Sequence, residues 1–186
     1  MKINNKKKLL KYIFLYRSFI FKFTKFETNS KDPELKKIIE LLNIKNKYKR
    51  IYTTVNEICD YIDNYYNGNN LCKFKNNKCL CHRKKNLDYT NGCCRKCFYQ
   101  SNKGCTTKNF ACKMFNCFYV RKDNKTLNYK DIYLLKILTP FQVSILKDDY
   151  FRSIEDVSKD LYLGWFISLF RIEFSNIKRQ IHFRRK

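Results

Sequence analysis

The chain has 186 residues, with 40 lysines and arginines against 16 acidic residues and a formal charge of +24. That length fits one domain, or one domain with a small module set into it. The charge favours anionic partners, namely nucleic acid, an acidic protein or an anionic membrane surface. Lys, Asn, Ile, Tyr and Phe dominate, and Ala111 is the only alanine, a bias that fits AT-rich coding. Part of the lysine content therefore belongs to codon usage rather than to binding.

Residues 9–26 are expected to form a basic amphipathic helix. Lys11, Ser18, Lys22 and Lys25 fall on one narrow face. Leu9, Tyr12, Ile13, Leu15, Tyr16, Phe19, Ile20, Phe23 and Phe26 cover the wide opposite face. So broad an apolar face suits burial in a core; peripheral membrane contact through residues 9–26 is the weaker reading. The longest unbroken apolar run there, Tyr12 to Tyr16, is too short for a membrane span or a signal-peptide core. Without export, a cytoplasmic location follows, where thiols meet a reducing solvent and metal ligation is favoured over disulfides.

Asp32-Pro33 reads as an N-cap and first helical residue, followed by the apolar stripe Leu35, Ile38, Ile39 and Leu42. Residues 43–50 read as a polar loop. Thr54 with Glu57 resembles a capping box, opening a helix that carries Val55, Ile58, Cys59, Ile62 and Tyr66 and stops at Asn67-Gly68. Cys59 lies on that apolar stripe and reads as a core thiol.

Beyond the central segment, residues 119–131 read as polar turns and Ile132 to Leu138 as a short helix or strand. Thr139-Pro140 opens a helix through Leu146, and Asp148-Asp149 breaks it. Ser153 with Asp156 caps a longer helix expected over Ile154 to Phe174. The basic tail holds Arg179, Arg184, Arg185 and Lys186. The architecture expected is mainly α. An N-terminal helical segment (1–66) and a C-terminal one (119–186) pack together around a small irregular cysteine-rich metal-binding module (67–118).

Nine of the ten cysteines lie between Leu71 and Phe118: Cys72, Cys79, Cys81, Cys93, Cys94, Cys97, Cys105, Cys112 and Cys117. His82 follows Cys81 directly. Thiolates are strong ligands for zinc and for iron–sulfur iron. The Cys94-x2-Cys97 spacing lets a short loop turn both sulfurs toward one ion, and Gly92 and Gly104 ease close backbone approach. Nine thiols exceed one tetrahedral site, so two closed sites fit, with sequential and interleaved assignments both open. With few large aliphatics between residues 67 and 118, metal bonds would supply folding energy there. Tyr89, Phe98, Tyr99, Phe110, Phe115 and Phe118 would form a dry shell around the thiolates. The same rings, interleaved with Arg83, Lys84, Lys85, Arg95 and Lys96, also suit single-stranded nucleic acid.

Residues 92–117, from Gly92-Cys93-Cys94 through Cys97-Phe98, Gly104-Cys105 and Cys112 to Phe115 and Cys117, distantly resemble the YkgJ-type cysteine-cluster family. The resemblance covers about 26 residues of 186 and lacks the Arg-Pro usual before the last cysteines. It implies zinc or iron chelation by Cys93, Cys94, Cys97, Cys105 and Cys112; Cys72, Cys79 and Cys81 have no counterpart. Nothing in the sequence supplies a Gly-rich phosphate loop, a paired-carboxylate site or a Ser-His-Asp arrangement, which weighs against an enzyme. The function expected is a cysteine-cluster metal-binding protein with a structural, regulatory or sensory role. The alternatives are a zinc-held nucleic-acid-binding module and a redox or accessory enzyme.

Overall fold

A computed structural model describes residues 1–16, 24–66, 71–73, 78–80, 83, 100–101, 104–164 and 170. The chain opens in extended form, and Lys2 bridges Glu27 in parallel: Ile3 N–H donates to the Glu27 carbonyl and Glu27 N–H to that of Met1. Helix α1 spans Lys6–Tyr16. Leu9 and Ile13 are buried while Lys7, Lys8 and Lys11 face water, so α1 turns its apolar side to the core as expected. The helix does not reach residue 26, because residues 24–26 are non-helical and Glu27 is tied into the bridge. Residues 17–23 lie outside the described residues.

Helix α2 spans Pro33–Leu42 and begins as its sequence indicates. The Asp32 carboxylate accepts from the N–H groups of Glu34 and Leu35, satisfying two of the helix's unpaired donors. Lys6 lies 3.0 Å from Asp32 and 2.5 Å from Glu34, which fastens α1 to this end of α2. The hydrogen bond from Lys6 is the main reason the Asp32 carboxyl sits below its ordinary pKa. At the other end Asn43 clamps the backbone of buried Phe26 through two 2.8 Å hydrogen bonds.

Helix α3, Lys47–Tyr66, is the backbone of the fold. It packs chiefly on the last described helix and also on α2, on the cysteine-bearing segment near residue 112, and on the turns near residue 135. It starts eight residues earlier than the capping-box reading of Thr54 and Glu57 implies. Asn46 is the residue whose side chain meets the first turn, accepting from Lys49 N–H. Ile51 is buried and Tyr48 packs edge-on against Tyr162, so tertiary contacts extend the helix through the polar stretch. Thr54 is wholly buried inside the helix, its hydroxyl without a hydrogen-bond partner among the described residues, and Glu57 pairs with Lys37 at 3.1 Å. Val55, Ile58, Cys59 and Ile62 form the buried stripe that the sequence indicates.

A short antiparallel pair joins β1 (Gln100–Ser101) to β2 (Gly104–Cys105). Two short helices follow, α4 (Phe110–Met114) and α5 (Phe118–Asp123). The second departs from the expectation of turns over 119–131; Val120, buried at 1% exposure, anchors it. Residues 129–131 and 133–137 form 3-10 turns, and Leu134, Leu135 and Leu138 enter the core.

Helix α6, Pro140–Asp148, opens on a capping box between Thr139 and Gln142. Gln142 also donates to the Leu161 carbonyl, tying α6 to the end of α7, Ile154–Leu163. Ser153 caps α7 by accepting from Asp156 N–H. The helix stops at Gly164, whose φ of +106° lies where side-chain-bearing residues are strained, rather than continuing to Phe174. Residues 165–169 and 171–186 lie outside the described residues, so Trp165, Leu169, Ile172 and the basic tail are not placed. The described residues are thus mainly helical, and N- and C-terminal helices share one core. No helix among them is long and apolar enough to cross a membrane.

Candidate metal centre

In the first arm of the cysteine segment the described residues 71–73, 78–80 and 83 are joined by hydrogen bonds. Leu80 N–H donates to the Cys72 carbonyl at 2.8 Å, which brings the residue next to Leu80, Cys79, close to Cys72. Lys73 takes a left-handed φ of 48°. Arg83 N–H donates to the Cys79 carbonyl at 3.2 Å, and the Arg83 guanidinium donates to the Lys73 carbonyl. Cys79 is buried and Cys72 half-buried. Lys73 pairs with Asp123 at 4.0 Å, which sets this arm against the end of α5.

The second arm is built into the helical body. Asn109 caps α4: its side-chain oxygen accepts from Cys112 N–H at 2.9 Å. Its amide group donates to the carbonyls of Asp149 and Arg152, at 2.7 and 3.2 Å. The Cys112 sulfur accepts from Phe151 N–H at 3.2 Å. Phe151 has φ of +63°, a conformation that a bulky residue rarely adopts, and it turns this amide onto the sulfur. An N–H donated to sulfur favours the thiolate and tunes a metal bound to it. Cys117 is half-buried at the N-cap position of α5, yet its side chain makes no capping hydrogen bond. Cys105 lies on β2. The core here is richer than the sparse aliphatics suggest: Leu80, Phe110, Ala111, Met114 and Cys112 are all buried.

Cys59 behaves differently. It is fully buried on α3, and burial pushes its thiol up to about 12, although Lys113 and Lys108 nearby act in the opposite sense. Such a thiol stays protonated and poorly nucleophilic, as a core residue should. Lys113 pairs with Asp63, and Lys108 with Asp60, so two ion pairs join α3 to the cysteine-bearing segment.

Of the nine cluster cysteines, Cys81, Cys93, Cys94 and Cys97 lie outside the described residues, with His82. Among the described residues, no three of His, Cys, Asp and Glu converge to hold a metal ion. The donor set is sulfur, which suits zinc or an iron–sulfur cluster and not the oxygen-seeking calcium or magnesium. The rings expected to shield the thiolates differ in exposure. Phe110 is buried, but Phe115 is 36% and Phe118 67% exposed; Tyr89, Phe98 and Tyr99 lie outside the described residues.

Sequence reasoning overlooked a buried ionic cluster beside Cys112. Arg152 donates to Asp149 at 3.0 Å and to Asp160 at 2.6 Å, and both carboxylates are buried. Burial opposes the Arg152 charge, but the Asp160 hydrogen bond and both carboxylates outweigh it, and its pKa rises. Asp149 signals only a helix break in the sequence. Asp160 follows Asp156 by four residues and looks like one more polar helix position. Asn109 could have been read as a cap, since Asn before a short apolar run is a strong N-cap residue.

Comparison of the chain with protein-family models, with curated proteins and with solved structures gave no match.

Proposed function

We propose that this is a thiolate metal-binding protein in which residues 67–118 hold zinc, with an iron–sulfur cluster as the alternative, in a reducing cytosolic setting. The observation that carries the reading is the concentration of nine of ten cysteines between Leu71 and Phe118. The contrast with Cys59 supports it. The one cysteine outside the cluster lies mid-helix in the core, whereas Cys72 and Cys117 are half-buried, and Cys79 and Cys112, although buried too, stand beside the Cys72–Leu80 hydrogen bond and beneath a donated amide. Metal on the second arm would act on the same core that α3, α4 and α6 share, so a structural or regulatory role fits better than catalysis.

Alkylation with iodoacetamide, read by peptide mass spectrometry before and after chelation, tests this. The cluster thiols are expected to resist alkylation as purified and to react once the chelator has removed the metal. Cys59 is expected to stay unmodified until the protein unfolds. Identical labelling with and without chelator would overturn the reading.

A further inference from the structure

The exposed face of α5 carries a ring and two cations in register. Phe118, Arg121 and Lys122 stand at i, i+3 and i+4 and so share one side of the helix, while Val120 enters the core. All three are exposed, Phe118 by 67%. The helix's one acidic residue, Asp123, is engaged by Lys73. Lys125 extends the basic line beyond the helix.

More rings adjoin it. Phe118 is held edge-to-face against Tyr119, with centroids 5.6 Å apart, and Phe115 against Tyr150 at 6.3 Å. Asn116, between Phe115 and Phe118 in the chain, donates to the Tyr66 hydroxyl at 3.3 Å. Next to Tyr66 stands Tyr65, 42% exposed and edge-on to it at 5.1 Å. The exposed face of α5 thus joins one exposed ring to two exposed cations, with the exposed rings of Phe115 and Tyr65 on neighbouring stretches of a chain of charge +24.

We infer that this face binds single-stranded nucleic acid, with Phe118 stacking on a base and Arg121 and Lys122 holding the flanking phosphates. Unpaired bases offer the flat faces that exposed rings lack, and the backbone offers the negative charge that the cations lack. A duplex hides its base faces, and an apolar peptide would leave the cations unanswered. Phe118 follows the cluster cysteine Cys117 directly, but the contacts inferred use only the ring of Phe118 and the charges of Arg121 and Lys122, none of them a metal ligand.

The test is fluorescence anisotropy of the full-length, as-purified protein with labelled mixed-sequence single strands, on wild type, Phe118→Ala, Phe118→Trp and Arg121→Glu/Lys122→Glu. Phe118→Ala is expected to weaken binding by about 5- to 100-fold with an unchanged salt slope, and Phe118→Trp to restore it. The double charge reversal is expected to weaken binding and flatten the dependence of log affinity on log salt. Because Phe118 is exposed, its variants should melt with the wild type, which circular dichroism checks. Wild-type affinity in Phe118→Ala would overturn the inference. So would tighter binding to a duplex of the same sequence or to phosphatidylserine vesicles.

Discussion

Replacing Arg152 with alanine is expected to destabilise the protein by about 3–5 kcal/mol. The reason is what remains behind. Asp149 and Asp160 are 3% and 0% exposed, and both place a carboxylate oxygen against the same Arg152 nitrogen. Without the guanidinium, two buried negative charges face each other with their main counter-charge gone. The pair is worth little net stability against an apolar replacement, but breaking it from one side is costly. Asp160→Asn alone should cost less, because it removes one charge and leaves Arg152 with Asp149. The double variant Arg152→Ala/Asp160→Asn is expected to lose less than the sum of the two single losses, since they share one network. Urea unfolding of the four proteins measures this. Strict additivity would mean that the cluster does not act as a unit. The cluster also holds the turn between α6 and α7 that presents Phe151 N–H to Cys112.

Phe110→Ala is expected to cost about 3–5 kcal/mol, by lost burial and by the cavity left in a packed core. Phe110 is 1% exposed and its ring contacts Tyr129 at a centroid distance of 5.7 Å. It begins α4, the helix that carries Cys112 and lies between α3 and α6. Its loss should therefore reach the second cysteine arm as well as the core. Phe110→Leu, which keeps most of the apolar volume, should cost clearly less. Thermal unfolding measures the order of the two variants. An alanine variant that melts with the wild type would show that α4 is not anchored through this ring.

The helix starts that were legible in the sequence are those set by a side chain acting on its own first turn. Asp32-Pro33, Thr139-Pro140 and Ser153 all cap as they read, because a cap is a local event within four residues. Thr54 misled for the complementary reason. Its spacing to Glu57 satisfies the local pattern, but Ile51 and Tyr48 pack against the rest of the fold and draw the helix back to Lys47. Gly164 was visible, yet an apolar pattern continuing beyond it reads as one helix, and only the backbone conformation shows the stop.

The cysteine segment was legible as chemistry and much less so as structure. The backbone hydrogen bond from Leu80 to Cys72 brings Cys79 close to Cys72, which their spacing alone does not dictate. Cys112 is embedded in the core by its neighbours Phe110, Ala111 and Met114. Phe151, 39 residues away, supplies the amide to its sulfur, a long-range contact that spacing cannot reveal. Phe115 and Phe118 look alike in composition to Phe110. Phe115 follows the end of α4 and Phe118 opens α5, whose buried residue is Val120, and both rings are left exposed.

Metal content after anaerobic purification, measured by elemental analysis alongside the visible absorbance spectrum, tests the central claim most directly. The expected result is a colourless protein with about one or two zinc ions per chain, as nine thiols allow. A brown protein with stoichiometric iron and sulfide would keep the thiolate metal centre and move its role toward redox sensing. A protein free of metal, with the cluster cysteines recovered as disulfides, would contradict the claim.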